Sequence, residues 1–211
     1  ILMLEYRIRN AEGNAIKKPV IFLIHGYGSN ADDLFSFAPY LPKSHVVISL
    51  QAPLALGNES FAWYQLGIDS TGAVTSEIND AWNVVDLLIE NIESLLPKNS
   101  LDPNDISLFG FSQGAIISWA LAFQHPKKVR RIIALSGLIH DSVPTSSKPE
   151  FIAYAAHGTS DSVIPVESAR KHILPLSHLY KEIQYQEFPD GHEVSQENFK
   201  ALIQWINKTN L

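Results

Sequence analysis

Short apolar runs rich in β-branched and aromatic residues alternate along this chain with longer segments of helical period, which leaves few folds open. The strand-like runs are Leu4–Ile8, Val20–Ile24, Val46–Leu50, Ile106–Phe109, Arg131–Leu135, Phe151–Ala156 and Ile183–Phe188. Stretches such as VIFLI and RIIAL are apolar almost throughout, as expected of strands covered by helices on both faces. Between them, Ala81, Val84, Val85, Leu88, Ile92 and Leu95 stripe one helix, and Phe199, Leu202, Ile203 and Ile206 stripe another. Strand and helix in alternation predict an α/β fold, a mostly parallel sheet of about seven strands with helices on both faces. No repeat, low-complexity tract or linker divides residues 1–211, so a single domain is expected.

Two connections govern how such a sheet would present a site. About 26 residues, 50–76, hold Trp63 and Tyr64 without helical period, and structureless connections of that length are usually functional. Only about 15 residues separate the runs ending at Leu135 and starting at Phe151, too few for a large cap domain. A site on this sheet should be open, with the aromatic loop as its wall.

Of the 211 residues 45% are hydrophobic and 18% charged, enough for a full core. A net charge of −6 argues against a nucleic-acid partner and against attachment to anionic lipid by charge. No run approaches the length of a membrane-spanning helix, so no stable membrane insertion is expected. With no cysteine there is no disulfide framework, thiolate metal site or cysteine nucleophile, which fits a reducing compartment. The opening ILMLEYRIRN lacks the basic segment and long apolar run of a secretory signal.

In a doubly wound sheet, ligands bind beyond the carboxyl ends of the strands. The stretch LFGFSQGA, residues 108–115, leaves a strand through Gly110, Ser112 and Gly114 and enters the helix that precedes Pro126. Gly-x-Ser-x-Gly alone is a modest signal. On a strand–turn–helix it strains the serine backbone and exposes the hydroxyl, which makes Ser112 a candidate nucleophile. The plainer alternative is a serine that caps the helix.

A hydroxyl attacks only when a base takes its proton. His192, in FPDGHEVS, directly follows the run Ile183–Phe188 and so shares an edge of the sheet with Ser112. His45, His125, His172 and His178 fall in or beside helices or in polar turns and are expected to be solvated; His140 could border the site, and His157 belongs to the turn ending its strand. Asp161, just past the penultimate strand, is the preferred carboxylate to orient His192, with Asp190, Asp141 and Glu193 as rivals. The chain order serine, aspartate, histidine is that of α/β-hydrolases rather than of the two protease folds. An oxyanion hole would take one N–H from Gln113 and another from the loop IHGYGSNADDL, where Gly26 and Gly28 let the backbone fold back at Tyr27.

The stretches LIHGYGSNADDL, FAWYQL, GFSQGA, HGTSDSVIP and GHEVSQENFKALIQWI resemble, in order and spacing, the acyl-protein thioesterase and bacterial carboxylesterase family of α/β-hydrolases, from about Val20 to Ile206. The resemblance implies a cytoplasmic serine hydrolase without metal or cofactor, acting on a small-molecule ester or thioester; a homodimer stays open. It implies a triad of Ser112, Asp161 and His192, oxyanion donors at Tyr27 and Gln113, a loop-structuring role for His25, and an acyl site lined by Trp63, Leu138 and Val163. Ordinary packing is the alternative for those last three. Tyr27 stands where the thioesterase branch usually has leucine, and Leu138 where it often has tryptophan. Both departures favour a bacterial-type carboxylesterase for smaller esters. A thioesterase or lysophospholipase with the same triad is the nearest alternative, and a non-catalytic ligand receptor on the same fold is the alternative of another class.

Overall fold

The computed structural model describes residues 2–68, 70 and 74–209. In chain order its strands are β1 (Tyr6–Arg9), β2 (Lys18–Ile24), β3 (Val46–Leu50), β4 (Leu54–Gly57), β5 (Ser60–Ala62), β6 (Gly67–Ile68), β7 (Val74–Thr75), β8 (Leu101–Phe111), β9 (Arg131–Leu135), β10 (Ile152–Gly158) and β11 (Ile183–Phe188). The α-helices are α1 (Ala31–Phe35), α2 (Ile78–Lys98), α3 (Gln113–Gln124), α4 (Val166–Leu179) and α5 (Gln196–Lys208). Seven strands form one sheet in the order β1-β3-β2-β8-β9-β10-β11. Every neighbouring pair is parallel except β1 with β3.

The two-residue period of a strand sorts the helices between the two faces. On β2, Val20, Phe22 and Ile24 join the core that holds α2, α3 and α4, while Ile21 and Leu23 join the core that holds α1 and α5. Both faces are dry, so the runs had to be apolar at every position rather than at alternate ones. The α2 stripe is buried from Val84 to Leu95, with Ala81 half-buried, and Leu88 and Ile92 each stabilise the fold by about 1.5–3 kcal/mol relative to exposure. Ser195 caps α5 by accepting from Asn198 N–H at 3.2 Å.

The 50–76 connection is not structureless. It builds two antiparallel pairs, β4 with β5 and β6 with β7, each too short to announce itself by alternation. The first turns through Gly57, Asn58 and Glu59, all at positive φ. It docks on the loop after β2 through Gly28 N–H to Phe61 O and Phe61 N–H to Ser29 O, both 2.8 Å. Residues 69 and 71–73 of this connection lie outside the described residues.

His45 is buried rather than solvated, and His125 and His172 are half-buried. The Arg9 guanidinium gathers the carbonyls of Ala38, Leu41, Pro42 and His45, which folds that loop against the sheet and carries His45 with it. Among the described residues no helix is long and apolar enough to cross a membrane.

Candidate active site

β8 ends at Phe111 and α3 begins at Gln113, so Ser112 alone turns the chain, at φ 54° and ψ −119°. Such a backbone costs a non-glycine residue about 1–3 kcal/mol and persists only where its surroundings hold it. Here a Cβ on Gly114 would lie 1.9 Å from Ile24 O, and one on Gly110 would lie 2.3 Å from Gly114 O. The two glycines let β2, β8 and α3 meet. Ser112 N–H also donates to Leu135 O at 2.9 Å, which ties the turn to the end of β9.

The Ser112 side chain makes no capping bond to α3. Its Oγ lies 2.9 Å from His192 Nε2, and His192 Nδ1 lies 2.7 Å from Asp161 Oδ2. An ionised carboxylate can only accept, so Nδ1 carries the imidazole proton and Nε2 is left to accept from the serine hydroxyl. Phe111 packs against the His192 ring with centroids 5.1 Å apart. Asp161 Oδ1 accepts from Val163 N–H at 2.8 Å and Ile164 N–H at 2.9 Å. Burial alone would raise the Asp161 carboxyl, but the bonds from His192, Ile164 and Val163 outweigh it and hold the group below its ordinary range.

None of the rival carboxylates makes a hydrogen bond to His192 among the described residues. Asp141 binds Lys171 and His172 on the surface, which hold it down to about 2. The Asp190 carbonyl accepts from Ser160 N–H, as suits a turn former, and Glu193 is exposed. Ser112, Asp161 and His192 follow β8, β10 and β11, and so converge from three places in the chain on one end of the sheet.

A sequence profile of the phospholipase/carboxylesterase family matches residues 8–210. The chain belongs to that family. An acyl-protein thioesterase 1 of Kluyveromyces lactis is 25% identical over 90% of this chain and 92% of its own. An uncharacterised hydrolase of Mycosarcoma maydis is 26% identical over 76% of this chain, which spans 64% of that protein's length. The crystal structure of esterase PE8 superposes with a TM-score of 0.84 at 25% identity, covering 98% of this chain and 99% of that one. The architecture is that of a phospholipase/carboxylesterase α/β-hydrolase.

In this family member the loop after β2 is built against the serine. A Cβ on Gly26 would sit 3.3 Å from Ser112 Cβ. Gln113 opens α3, so its N–H has no intrahelical acceptor, and Tyr27 N–H has no backbone acceptor among the described residues. Gln113 directly follows the serine, and Tyr27 directly follows Gly26. The rest of the loop is fixed by groups whose part the sequence reading did not detail. His25 is buried, donates Nδ1–H to Gly26 O at 2.8 Å and accepts from Ala52 N–H at 3.1 Å. Burial keeps its imidazole below the ordinary range, against the pull of Gly26 and Asp33, so it stays neutral. Trp63 Nε1–H donates to His25 O at 2.8 Å. The Gln113 amide clasps the aromatic segment, accepting from Trp63 N–H at 3.0 Å and donating to Tyr64 O at 2.9 Å. The signal was present in HGYG, AWY and SQG, but its meaning depends on three distant segments meeting.

Trp63 is buried beneath the loop, Leu138 is half-buried, and Val163 is 58% exposed. An apolar cleft lies beside α3, walled by Tyr64, Trp82, Val85, Ile116 and Val143, with His140 among its polar members. None of the triad candidates lines it. Ile116, on the wall of the cleft, is one helical turn past Ser112 on α3.

Proposed function

We propose that this protein is a serine carboxylesterase, with Ser112 as nucleophile, His192 as general base and acid, and Asp161 as its orienting carboxylate. The observation that carries the reading is the continuous line from Ser112 Oγ through His192 to Asp161, at 2.9 and 2.7 Å. His192 Nε2 takes the hydroxyl proton as Oγ bonds to the ester carbonyl carbon, and the carbonyl electron pair moves onto oxygen. The N–H groups of Gln113 and Tyr27 receive that oxyanion; losing one such donor typically costs about 3 kcal/mol of transition-state stabilisation. Collapse breaks the ester C–O bond, His192 protonates the departing alcohol, and the acyl group stays on Ser112. Water, deprotonated by the same Nε2, then releases the acid. Asp161 steadies the imidazolium in both halves. The reading includes a small-molecule substrate and a cytoplasmic location.

A fluorophosphonate probe with p-nitrophenyl esters tests this. Wild type should be labelled once and hydrolyse the esters, and Ser112→Ala should lose both. Asp161→Asn should lower kcat by orders of magnitude, whereas Asp141→Asn should leave it unchanged. Equal labelling of Ser112→Ala, or no turnover alongside saturable ligand binding, would reject the reading, the latter in favour of a receptor. Thioester hydrolysis is the second reading, supported by the Kluyveromyces lactis relative's name.

A further inference from the structure

We infer that His157, which no step above uses, is a positioning residue that holds Asp161 in line with His192; this rests on Asp161 being the orienting carboxylate. His157 is the penultimate residue of β10 and is almost fully buried. Its Nε2 lies 2.8 Å from Ile164 O and 3.3 Å from Asp161 Oδ2. Both neighbours are acceptors, so Nε2 carries a proton, and the other ring nitrogen is Nδ1. That Nδ1 is buried with no hydrogen-bond partner among the described residues. Such an orphan is destabilising, and packing alone would be better served by an apolar side chain.

The geometry gives His157 a different task. Ile164 donates its N–H to Asp161 Oδ1 and receives His157 at its carbonyl, so the imidazole closes the 161–164 turn around the carboxylate. Two backbone N–H groups hold Oδ1, while the imidazoles of His192 and His157 flank Oδ2. With Oδ1 held by two N–H groups and Oδ2 by His192, the carboxylate plane is fixed, and the His157 bond to Ile164 O holds the turn that supplies one of those N–H groups. Glu187, the register partner of His157 on β11, is held by Arg170 at 2.8 and 2.6 Å and does not compete for the Nε2 proton.

The test compares His157→Leu, His157→Gln, His157→Asn and Asp161→Asn with wild type, reading kcat and KM on p-nitrophenyl butyrate and the downfield proton resonance of the His192–Asp161 bond. His157→Leu should lower kcat about tenfold to a hundredfold. KM should stay within about twofold, because ground-state binding is not touched. The downfield resonance should weaken. Glutamine can return an N–H near the Nε2 position and should restore most of kcat; asparagine, one carbon shorter, should not. Equal loss in the leucine and glutamine variants with the resonance intact would mark a packing role and overturn the inference. If the leucine variant does not fold, equal kcat in the glutamine and asparagine variants overturns it instead. Active wild type, inactive Asp161→Asn and unaffected His157→Leu would sink this inference alone, whereas a wild type that neither hydrolyses esters nor reacts with fluorophosphonate would sink the reading of the site itself.

Discussion

Burial pulls the His45 imidazole down to about 4; Asp105 opposes the effect, and Arg131, Arg9 and Arg130 add to it. In the unfolded chain the same group titrates near 6.5. Between those values the unfolded chain binds the proton and the folded one does not, so stability rises with pH across the window and levels off above it. Acidification from pH 6.5 to 4 should therefore cost about 2–3 kcal/mol, read as a falling urea midpoint. His45→Gln should flatten that slope; an equal slope in the variant would contradict the assignment. Asp161 acts in the same direction at lower pH. Its depressed carboxyl contributes stability above the ordinary carboxylate range, and that contribution is lost as pH falls through the folded value. His45 was expected in water because SHVV reads as a polar turn before a strand. The distant guanidinium of Arg9, reaching its carbonyl at 2.9 Å, ties that turn to the sheet.

At the scale of elements, β10 both delivers Asp161 and docks the loop that carries His192. Thr159 N–H donates to Phe188 O at 2.8 Å and Ser160 N–H to Asp190 O at 2.9 Å. Gly158 permits that approach, since a Cβ there would lie 2.2 Å from Gly191 O and 2.4 Å from Asp190 O. Gly158→Ala should push the 190–192 segment outward and lower kcat about a hundredfold while the circular dichroism spectrum holds. Slower fluorophosphonate labelling would accompany it; unchanged labelling would show that the loop absorbs the methyl group. The long stripes of α2 and α5 and the seven sheet strands were legible because burial dictates their periods. α4 was not singled out although Val166, Ala169, Ile173 and Leu176 form a buried stripe along it, because Pro175 sits inside the helix and breaks its pattern. β4 to β7 were hidden for a different reason: a strand of two to four residues has no period to read.

Taken whole, the molecule sets its site at one end of a sheet sealed on both faces, with an apolar cleft on the α2–α3 side. Of the residues that wall the cleft, Ile116 is the one nearest to Ser112 along the chain. Hydrolysis of p-nitrophenyl esters should peak at short to medium acyl lengths, and Ile116→Trp should lower kcat/KM for octanoate at least tenfold while acetate changes by less than about threefold. Equal effects on both esters would remove the cleft from the acyl path. The fold class, the chain order serine, aspartate, histidine and the candidacy of Ser112, Asp161 and His192 were legible in the sequence, because apolar pattern and strand-end position are local properties. Which carboxylate reaches His192, whether Ser112 caps a helix or faces an imidazole, and what Gln113, His25 and His157 grip were decided only in three dimensions. Each of those depends on hydrogen bonds between segments far apart in the chain, and no local pattern encodes a contact whose partner lies on another strand.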